Sequence, residues 1–431
     1  MNCWIPTTIR DFFEFTIPGA WGAAPTLRSS VPVLRSTNFD GDGRLDYKSI
    51  VYRDVSLEQL NRRKVLKGDI LVEKSGGGPM QPAGRVAYCD CDFGGTCSNF
   101  IEIARVRDHL DSKFIFYLLH QLYLNGLVLK YQQQTTGIIN FKFSEYKQET
   151  VRIPKQLREQ TVIAKVLTTV DRAIEQTDAL IAKYGHVKIG LMHDLLTRGI
   201  DEHGQLRDFS THKFRPSPLG LIPESWNIEP IAKLFKMELG KMLNKSAKCG
   251  KYPKPYLGNK NVQWDWIDIS DLETMDFSPK EQRHFRLKKD DILICEGGEV
   301  GRAALWKNEL TECYFQKAIH RLTPKDQRII PEFMIYYMRF VTSNGLLLNL
   351  TSQTSIAHLT QEKLAELPVC FPKPDEMRQI ITLLGTQTSL IETEQAQLVK
   401  FHKLKTGLMQ DLLTGNVSVE PLLNFKRGGN A

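Results

Sequence analysis

Two long stretches of the chain place apolar residues at alternating steps of three and four, the mark of a helix with one buried stripe. In the first, Ile163, Leu167, Val170, Ile174, Ile181, Tyr184, Leu191 and Leu195 carry the stripe, and Thr177 and Lys188 fill its two gaps. In the second, Ile380, Leu384, Ile391, Leu398, Phe401, Leu408 and Leu412 keep the same phase, with Gln387, Glu394 and Lys405 at stripe positions. Pro154 precedes the first stretch, Pro372 and Pro374 the second, and Gly199 and Gly415 mark their ends. A helix over 156–197 would be roughly 60 Å long, more than a small domain can cover, and so reads as a strut. One stripe on each helix predicts that the two pair with each other, the polar residues of the second stripe fixing register at some cost in stability, and the arrangement expected is an antiparallel coiled coil. The competing arrangement has each helix packing on its own globule.

The segments in front of the helices show a different pattern. Short strand-like runs at 69–72, 100–104, 291–295 and 318–322 alternate with turn signals such as Gly41-Asp-Gly43 and 76–78. An apolar helix follows in each, near 113–124 and 331–340. The fold class expected is mixed α/β (α+β): two globules joined by two long helices. The stretch 199–226, rich in Pro, Gly, Ser and His, reads as a linker.

The chain also repeats itself. Gly190-Leu-Met-His-Asp-Leu-Leu-Thr197 recurs as Gly407-Leu-Met-Gln-Asp-Leu-Leu-Thr414, identical at seven of eight positions. In the same register Glu159 falls on Glu376, Ile163 on Ile380, Leu167 on Leu384 and Lys188 on Lys405. With slightly larger offsets, Lys67-Gly-Asp-Ile-Leu-Val72 resembles Lys289-Asp-Asp-Ile-Leu-Ile294 and 33–38 loosely matches 256–261, and both Lys-x-Asp-Ile-Leu runs are followed by a glycine-rich stretch and Gly-Arg, at Gly84-Arg85 and Gly301-Arg302. The closing segments are well preserved between copies and the front segments have drifted. A common job for the helices and separate jobs for the globules would produce that contrast, as would uneven drift after duplication. The expected segments are 1–153, globule; 154–198, helix; 199–226, linker; 227–371, globule; 372–415, helix; and 416–431, tail.

Composition changes this picture little. The chain has 431 residues, 42% hydrophobic and 25% charged, with a net charge of +8 from 57 basic and 49 acidic residues. That suits several domains with ordinary cores and, mildly, a polyanionic partner. No apolar run approaches the roughly 18 residues of a membrane span, and the first residues lack a signal layout, so a cytoplasmic location is expected. Of eight cysteines, only Cys89, Cys91 and Cys97 lie close together. C-x-C-x5-C with no second cluster is a weak zinc signal, and reduced, buried thiols are the expectation. The glycine stretch 73–84 lacks the Gly-Lys-Ser/Thr ending of a phosphate loop, and no hydrolase, metalloprotease, kinase or amino-methyltransferase motif is present. Glu296, Glu299 and Glu312 near Lys317 could be imagined as metal ligands, but a solvated loop is the expected reading.

Two drifted globules, each followed by a preserved long helix, resemble the specificity subunits of type I restriction–modification systems. The likeness is carried by 154–160, by Gly190-Leu-Met-His-Asp-Leu-Leu-Thr197 and its copy, by Gly199-Ile-Asp-Glu-His-Gly-Gln-Leu-Arg-Asp208, and by Ser217-Pro-Leu-Gly-Leu-Ile-Pro-Glu-Ser-Trp226. One departure stands out: the first globule lacks a clear Pro-x-x-Trp opening, and Trp21 after Pro18-Gly-Ala is only an imperfect version. The resemblance implies a non-catalytic subunit. Each globule would be a target recognition domain reading one half of a bipartite, asymmetric DNA site. The helices would set the spacer and dock two modification (methyltransferase) subunits, with motor–nuclease subunits completing the complex. No cofactor is expected on this chain: S-adenosylmethionine, and ATP with Mg, belong to the partners. A DNA-free coiled-coil adaptor, a fused restriction–modification polypeptide with a hidden active site, and a solitary specificity protein with another effector remain alternatives.

Candidate DNA-reading residues are the polar and basic ones in loops that match between copies: Arg35, Asn38, Lys74, Arg85, Asn140 and Lys142, then Asn259, Lys260, Asn261, Arg302, Gln353, Ser355 and His358. Arginine and asparagine suit bidentate contacts to guanine and adenine, and lysine suits phosphates. The expected helix and subunit interface comprises Ile163, Leu167, Ile174, Ile181, Leu191, Met192 and Leu195 with Ile380, Leu384, Ile391, Leu398, Leu408, Met409 and Leu412.

Overall fold

The two stripes form the helices Leu157–Thr197 and Pro374–Leu412. The structure, a computed structural model, describes residues 4–25, 30–78, 81–135, 137–244, 247, 249–347 and 358–424. It divides into two compact units that cut both helices: residues 1–178 with 396–431, and residues 179–395. Each unit therefore holds one globule, one half of the first helix and one half of the second.

In the first unit a four-stranded antiparallel sheet runs in the order Phe13–Pro18, Ile101–Val106, Ile70–Glu73, Val86–Tyr88. Side chains alternate across it, as a strand demands. Ile70 and Val72 join the cluster under the helix Ser112–Leu124, while Leu71 turns to Leu34, Cys97 and Ile103 on the other face. Burial on both faces is why this strand reads as an unbroken apolar run. Asp69 ahead of it is buried, accepting from the Leu66 amide and from Arg105 at 2.8 and 2.9 Å. A second sheet, Val51–Asp54, Ser30–Leu34, Thr96–Cys97, pairs antiparallel then parallel.

The second unit repeats this topology. Its sheet order is Phe235–Leu239, Ile319–Pro324, Ile292–Cys295, Ala303–Leu305, and its second sheet is Glu273–Asp276, Pro253–Leu257, Tyr314–Phe315, again with the last pair parallel. Ile292 and Ile294 face one core, Leu293 and Cys295 the other.

Each globule opens on a tryptophan and a strand that pairs antiparallel with the strand leading into the long helix: Trp4–Thr8 with Thr150–Pro154, and Asn227–Pro230 with Pro368–Phe371. A single helical turn and the first sheet strand follow in both. The counterpart of Trp226 is therefore Trp4, not Trp21. Trp21 is an exposed side chain with the Arg53 guanidinium 4.7 Å from its ring centre. The sequence hid this because the Pro-Glu-Ser that precedes Trp226 has no counterpart before Trp4. The two tryptophans are backed by the glycines that end the long helices. A Cβ on Gly415 (φ 78°) would lie 2.8 Å from Trp4, and one on Gly199 (φ 61°) 2.6 Å from Trp226.

Within each unit the helix halves run antiparallel. In the first, Ile163 and Leu167 share a cluster with Met409, Leu412 and Leu413; in the second, Met192 and Leu195 share one with Met377, Ile380 and Leu384. The helices thus pair with each other and also pack on the globules, so the two arrangements weighed from sequence coexist. Ile174 is buried too, while Ile181, Leu191, Ile391, Leu398 and Leu408 are half-buried.

The stretch 199–226 is folded, not a loose tether. Phe214–Ser217 and Gly220–Pro223 form a hairpin, and Ile200, Ile222 and Trp226 enter the core of the second unit. Glu376, in the first turn of the second helix, holds the stretch in place. Its carboxylate accepts from Arg207 at 2.5 and 2.8 Å, from Trp226 Nε1 at 3.1 Å and from the Ile200 amide at 3.1 Å. Glu376→Gln leaves Arg207 charged and largely buried without its partner. Urea unfolding should show a loss of about 3 kcal/mol or more.

Candidate nucleic-acid interface

Each globule gathers the matching loops along one edge. In the first unit, Ser75–Gly77 pairs with Ile138–Phe141, which pairs with Gln132–Thr135, and the Phe141 amide donates to the Lys74 carbonyl at 2.7 Å. In the second, the Leu359 amide donates to the Glu296 carbonyl at 2.9 Å, and Asn259 Nδ2 to the Gly297 carbonyl at 2.8 Å. The glycine-rich turn, the segment near 140 or 358, and the loop near 36 or 259 therefore meet in both copies.

Four candidates build this edge rather than line it. Asn38 and Asn261 are 1% and 2% exposed. Asn38 Oδ1 accepts from the Arg35 amide at 2.9 Å, and its Nδ2 donates to the carbonyls of Asp46 and Ser49. Asn261 does the same with the Gly258 amide and the carbonyls of Asp268 and Asp271. With both amides committed to backbone, neither can read a base edge. Arg85 forms a bidentate pair with buried Glu73 at 2.8 and 2.9 Å and reaches the Ser36 and Phe39 carbonyls, and this partner holds its guanidinium above its usual pKa. Arg302 donates to the Asn259 carbonyl at 2.7 Å. Short loops cannot hold a shape unless their buried backbone groups find partners, and these side chains supply them.

The other candidates are more open. Lys260 is exposed and lies 2.7 Å from Asp271. Lys142 lies 3.3 Å from Glu145. His358 is exposed beside Gly297. Lys74 pairs with Glu102 at 2.8 Å, Asn140 Oδ1 accepts from Ser75 Oγ, Arg35 reaches the Ser49 carbonyl, and Asn259 is half-buried. Gln353 and Ser355 lie outside the described residues.

Sequence reasoning missed two groups. Gln133 and Gln134 are exposed on the edge strand beside Asn140; the run Gln132-Gln-Gln-Thr135 ahead of a glycine was the available signal. Each globule also carries a short basic helix at an equivalent place, Leu57–Arg63 and Pro279–Phe285. These helices and the loops after them expose Arg62, Lys64 and Lys67, and Lys280, Arg283, Arg286, Lys288 and Lys289. Such side chains suit phosphates, while amides on a rim suit base edges.

Among the described residues no cluster of three or more His, Cys, Asp or Glu is placed to hold a metal. Cys89 Sγ donates to the Cys91 carbonyl at 3.1 Å, and burial pushes the Cys89 thiol up to about 12. Glu299 accepts from Trp264 Nε1 and Arg302, while Glu312 is held below its usual pKa by Lys254 and Tyr314.

The long helices leave apolar residues uncovered: Val187, Ile189, Leu383 and Leu390 in the second unit, Leu157, Val399 and Leu404 in the first. A groove of about 820 Å³ in the first unit is lined by Leu157, Val162, Val166, Leu422 and Leu423. No described helix is long and apolar enough to cross a membrane.

Each unit thus holds one copy of the same kind of α/β globule seated on an antiparallel pair of helix segments. The chain belongs to the family described as type I restriction modification DNA specificity domain, whose model matches residues 7–183 and 223–400. It is 25% identical over 340 residues to the type I restriction enzyme MjaVIII specificity subunit of Methanocaldococcus jannaschii, covering 76% of this chain and 75% of that one. To the putative MjaX specificity subunit of the same organism it is 21% identical over 425 residues, covering 97% and 94%. The fold is similar to that of the type I restriction–modification S subunit from M. genitalium, with a TM-score of 0.57 at 18% identity over 95% of this chain and 96% of that one. It is also similar to a chain in a structure describing complex assembly and conformational transition of the type I R-M system, with a TM-score of 0.60 at 14% identity over 96% and 98%.

The buried asparagines and the exposed rim residues should separate in a stability measurement. Asn38→Ala and Asn261→Ala each leave backbone groups unpartnered and should cost about 1–3 kcal/mol in urea unfolding. Gln134→Ala and Lys260→Ala should change it by less than about 0.5 kcal/mol.

Proposed function

We infer that this chain is the DNA-sequence-specificity subunit of a type I restriction–modification complex and is not itself an enzyme. The observation that carries the reading is the repetition, in a chain of the specificity family, of one globule with the same two main sheets and an unlike rim, each copy seated on antiparallel segments of the long helices. Each globule reads one half of a bipartite, asymmetric target. Rim amides, among them Gln133 and Gln134, contact base edges, and the basic helices neutralise phosphates, which gives binding a salt-dependent slope. The helices set the unspecified spacer, and their uncovered apolar residues receive partner subunits.

The finer assembly follows from the family resemblance. Two modification subunits carry S-adenosylmethionine and methylate adenine, which must leave the duplex stack to be reached. Motor–nuclease subunits bring ATP and Mg. Chemistry lies in those partners.

Adenine-methylation mapping tests the reading in a host carrying this chain with its neighbouring methyltransferase gene. One split, asymmetric motif, lost when this chain is deleted, is the expected result. An unchanged methylation pattern on deletion, with the methyltransferase present and active, would instead leave the DNA-free adaptor. In the assembled complex, Lys280→Ala with Arg283→Ala should lower the slope of log affinity against log salt by about 1 for each phosphate no longer neutralised, without changing the motif.

A further inference from the structure

Each long helix carries one buried lysine in its stripe, and the two occupy equivalent places: Lys188 and Lys405, 9% and 5% exposed. A buried ammonium is strongly unfavourable unless paired, and a leucine there would serve helix packing at least as well. Both lysines reach the globule of their own unit, and Lys405 also pairs with Asp171 on the facing long helix. Lys405 Nζ lies 3.0 Å from Asp42 and 2.8 Å from Asp171. Lys188 Nζ lies 3.5 Å from Asp265. Asp42 and Asp265 sit in the same turn of the two globules, the one closed by Phe39–Leu45 or Val262–Ile267 and anchored by the buried asparagine before it.

The surroundings of the two lysines have changed in part while this pair has not. In the first unit Asp171 also accepts from the Tyr117 hydroxyl at 2.5 Å and lies 3.8 Å from Arg44, which is 3.3 Å from Glu175. His120 is buried there; burial first, then Lys405, pushes it down to about 4, so it is neutral near pH 7. His402 lies near Asp42. In the second unit Thr388 stands where Asp171 would, and Arg339, 3.0 Å from Asp265, replaces His120. The Tyr336 ring centre is 6.0 Å from Lys188 Nζ, and Glu392 lies within electrostatic reach. The second turn is one residue shorter, and Asp265 takes a positive φ of 73°, costly for a non-glycine residue, while bonded to Lys188. Lysine to aspartate is shared by the copies, together with a tyrosine, Tyr117 or Tyr336, and a glutamate, Glu175 or Glu392, beside it.

We propose that Lys405 and Lys188 are positioning residues that lock the turn of each globule onto the helix pair of its own unit, and so fix the setting at which that globule presents its rim. A slip of one helical turn would carry the ammonium about 5.4 Å along the axis and leave lysine and aspartate unpaired, so the pair admits one register. The consequence for DNA spacing rests on the proposed function; the lock itself does not.

Hydrogen exchange on the full chain tests the lock. Lys405→Met, which keeps the apolar stem, should speed exchange of the 39–46 amides by about tenfold or more and leave those of 262–268 unchanged; Lys188→Met should do the reverse. Asp42→Asn and Asp265→Asn, which leave the helix stripes intact, should reproduce the two patterns and serve if a lysine variant fails to fold. Unchanged protection of both turns in all variants that fold overturns the proposal. In the assembled complex, Lys405→Met should keep both half-sites and accept spacers one base pair longer or shorter. A wild-type spacer at wild-type efficiency removes the spacing role. If the wild-type chain directs no split motif, the functional reading fails and the exchange results stand.

Discussion

Antiparallel pairing of the two helix stripes is the constraint on which the rest depends. It brings the start of one helix to the end of the other, so that each globule is seated on segments far apart in sequence. The core of the first unit closes only when Met409, Leu412 and Leu413 reach Ile163 and Leu167, and that of the second when Met192 and Leu195 reach Ile380 and Leu384. The repeated Gly-Leu-Met segment is thereby explained. It closes the helix that starts on one globule and packs into the core of the other unit, which is the same task twice. A segment with one task in two places is free to drift only as far as that packing allows.

The rims are built on a different principle. Asn38 and Asn261, Arg85 and Arg302 satisfy loop backbone from within, and the loops can then vary at exposed positions without losing shape. The same logic holds where the globules open. Trp4 and Trp226 lie against the helix-ending glycines, and only a residue without a Cβ fits so close at positive φ. A rim can therefore change at its exposed positions while its frame stays fixed.

Much of this was legible in the sequence because it rests on periodicity and repetition. The helix stripes, the buried strands at 69–72 and 291–295, and the family likeness follow from local patterns. The loops that match between copies converge on one edge of each globule, because matching segments occupy matching places in a repeated topology. Individual residues were not legible. Asparagine at a turn and asparagine on a rim look alike in sequence, and only burial separates Asn38 from Asn140. The glutamine strand and the basic helices are not legible either, because their own patterns are weak and their place in the fold supplies the meaning.

Local chemistry thus determined by itself the two long helices, their shared phase, the duplicated α/β globule and the family. Tertiary structure alone decided which tryptophan opens the first globule, that 199–226 folds into the second unit's core, and which polar groups are committed inside. It also paired Lys188 and Lys405 with Asp265 and Asp42. The reason is physical: periodicity reports which face of an element is apolar, but a polar group's role depends on the partner it meets, and here that partner can lie at the other end of the chain.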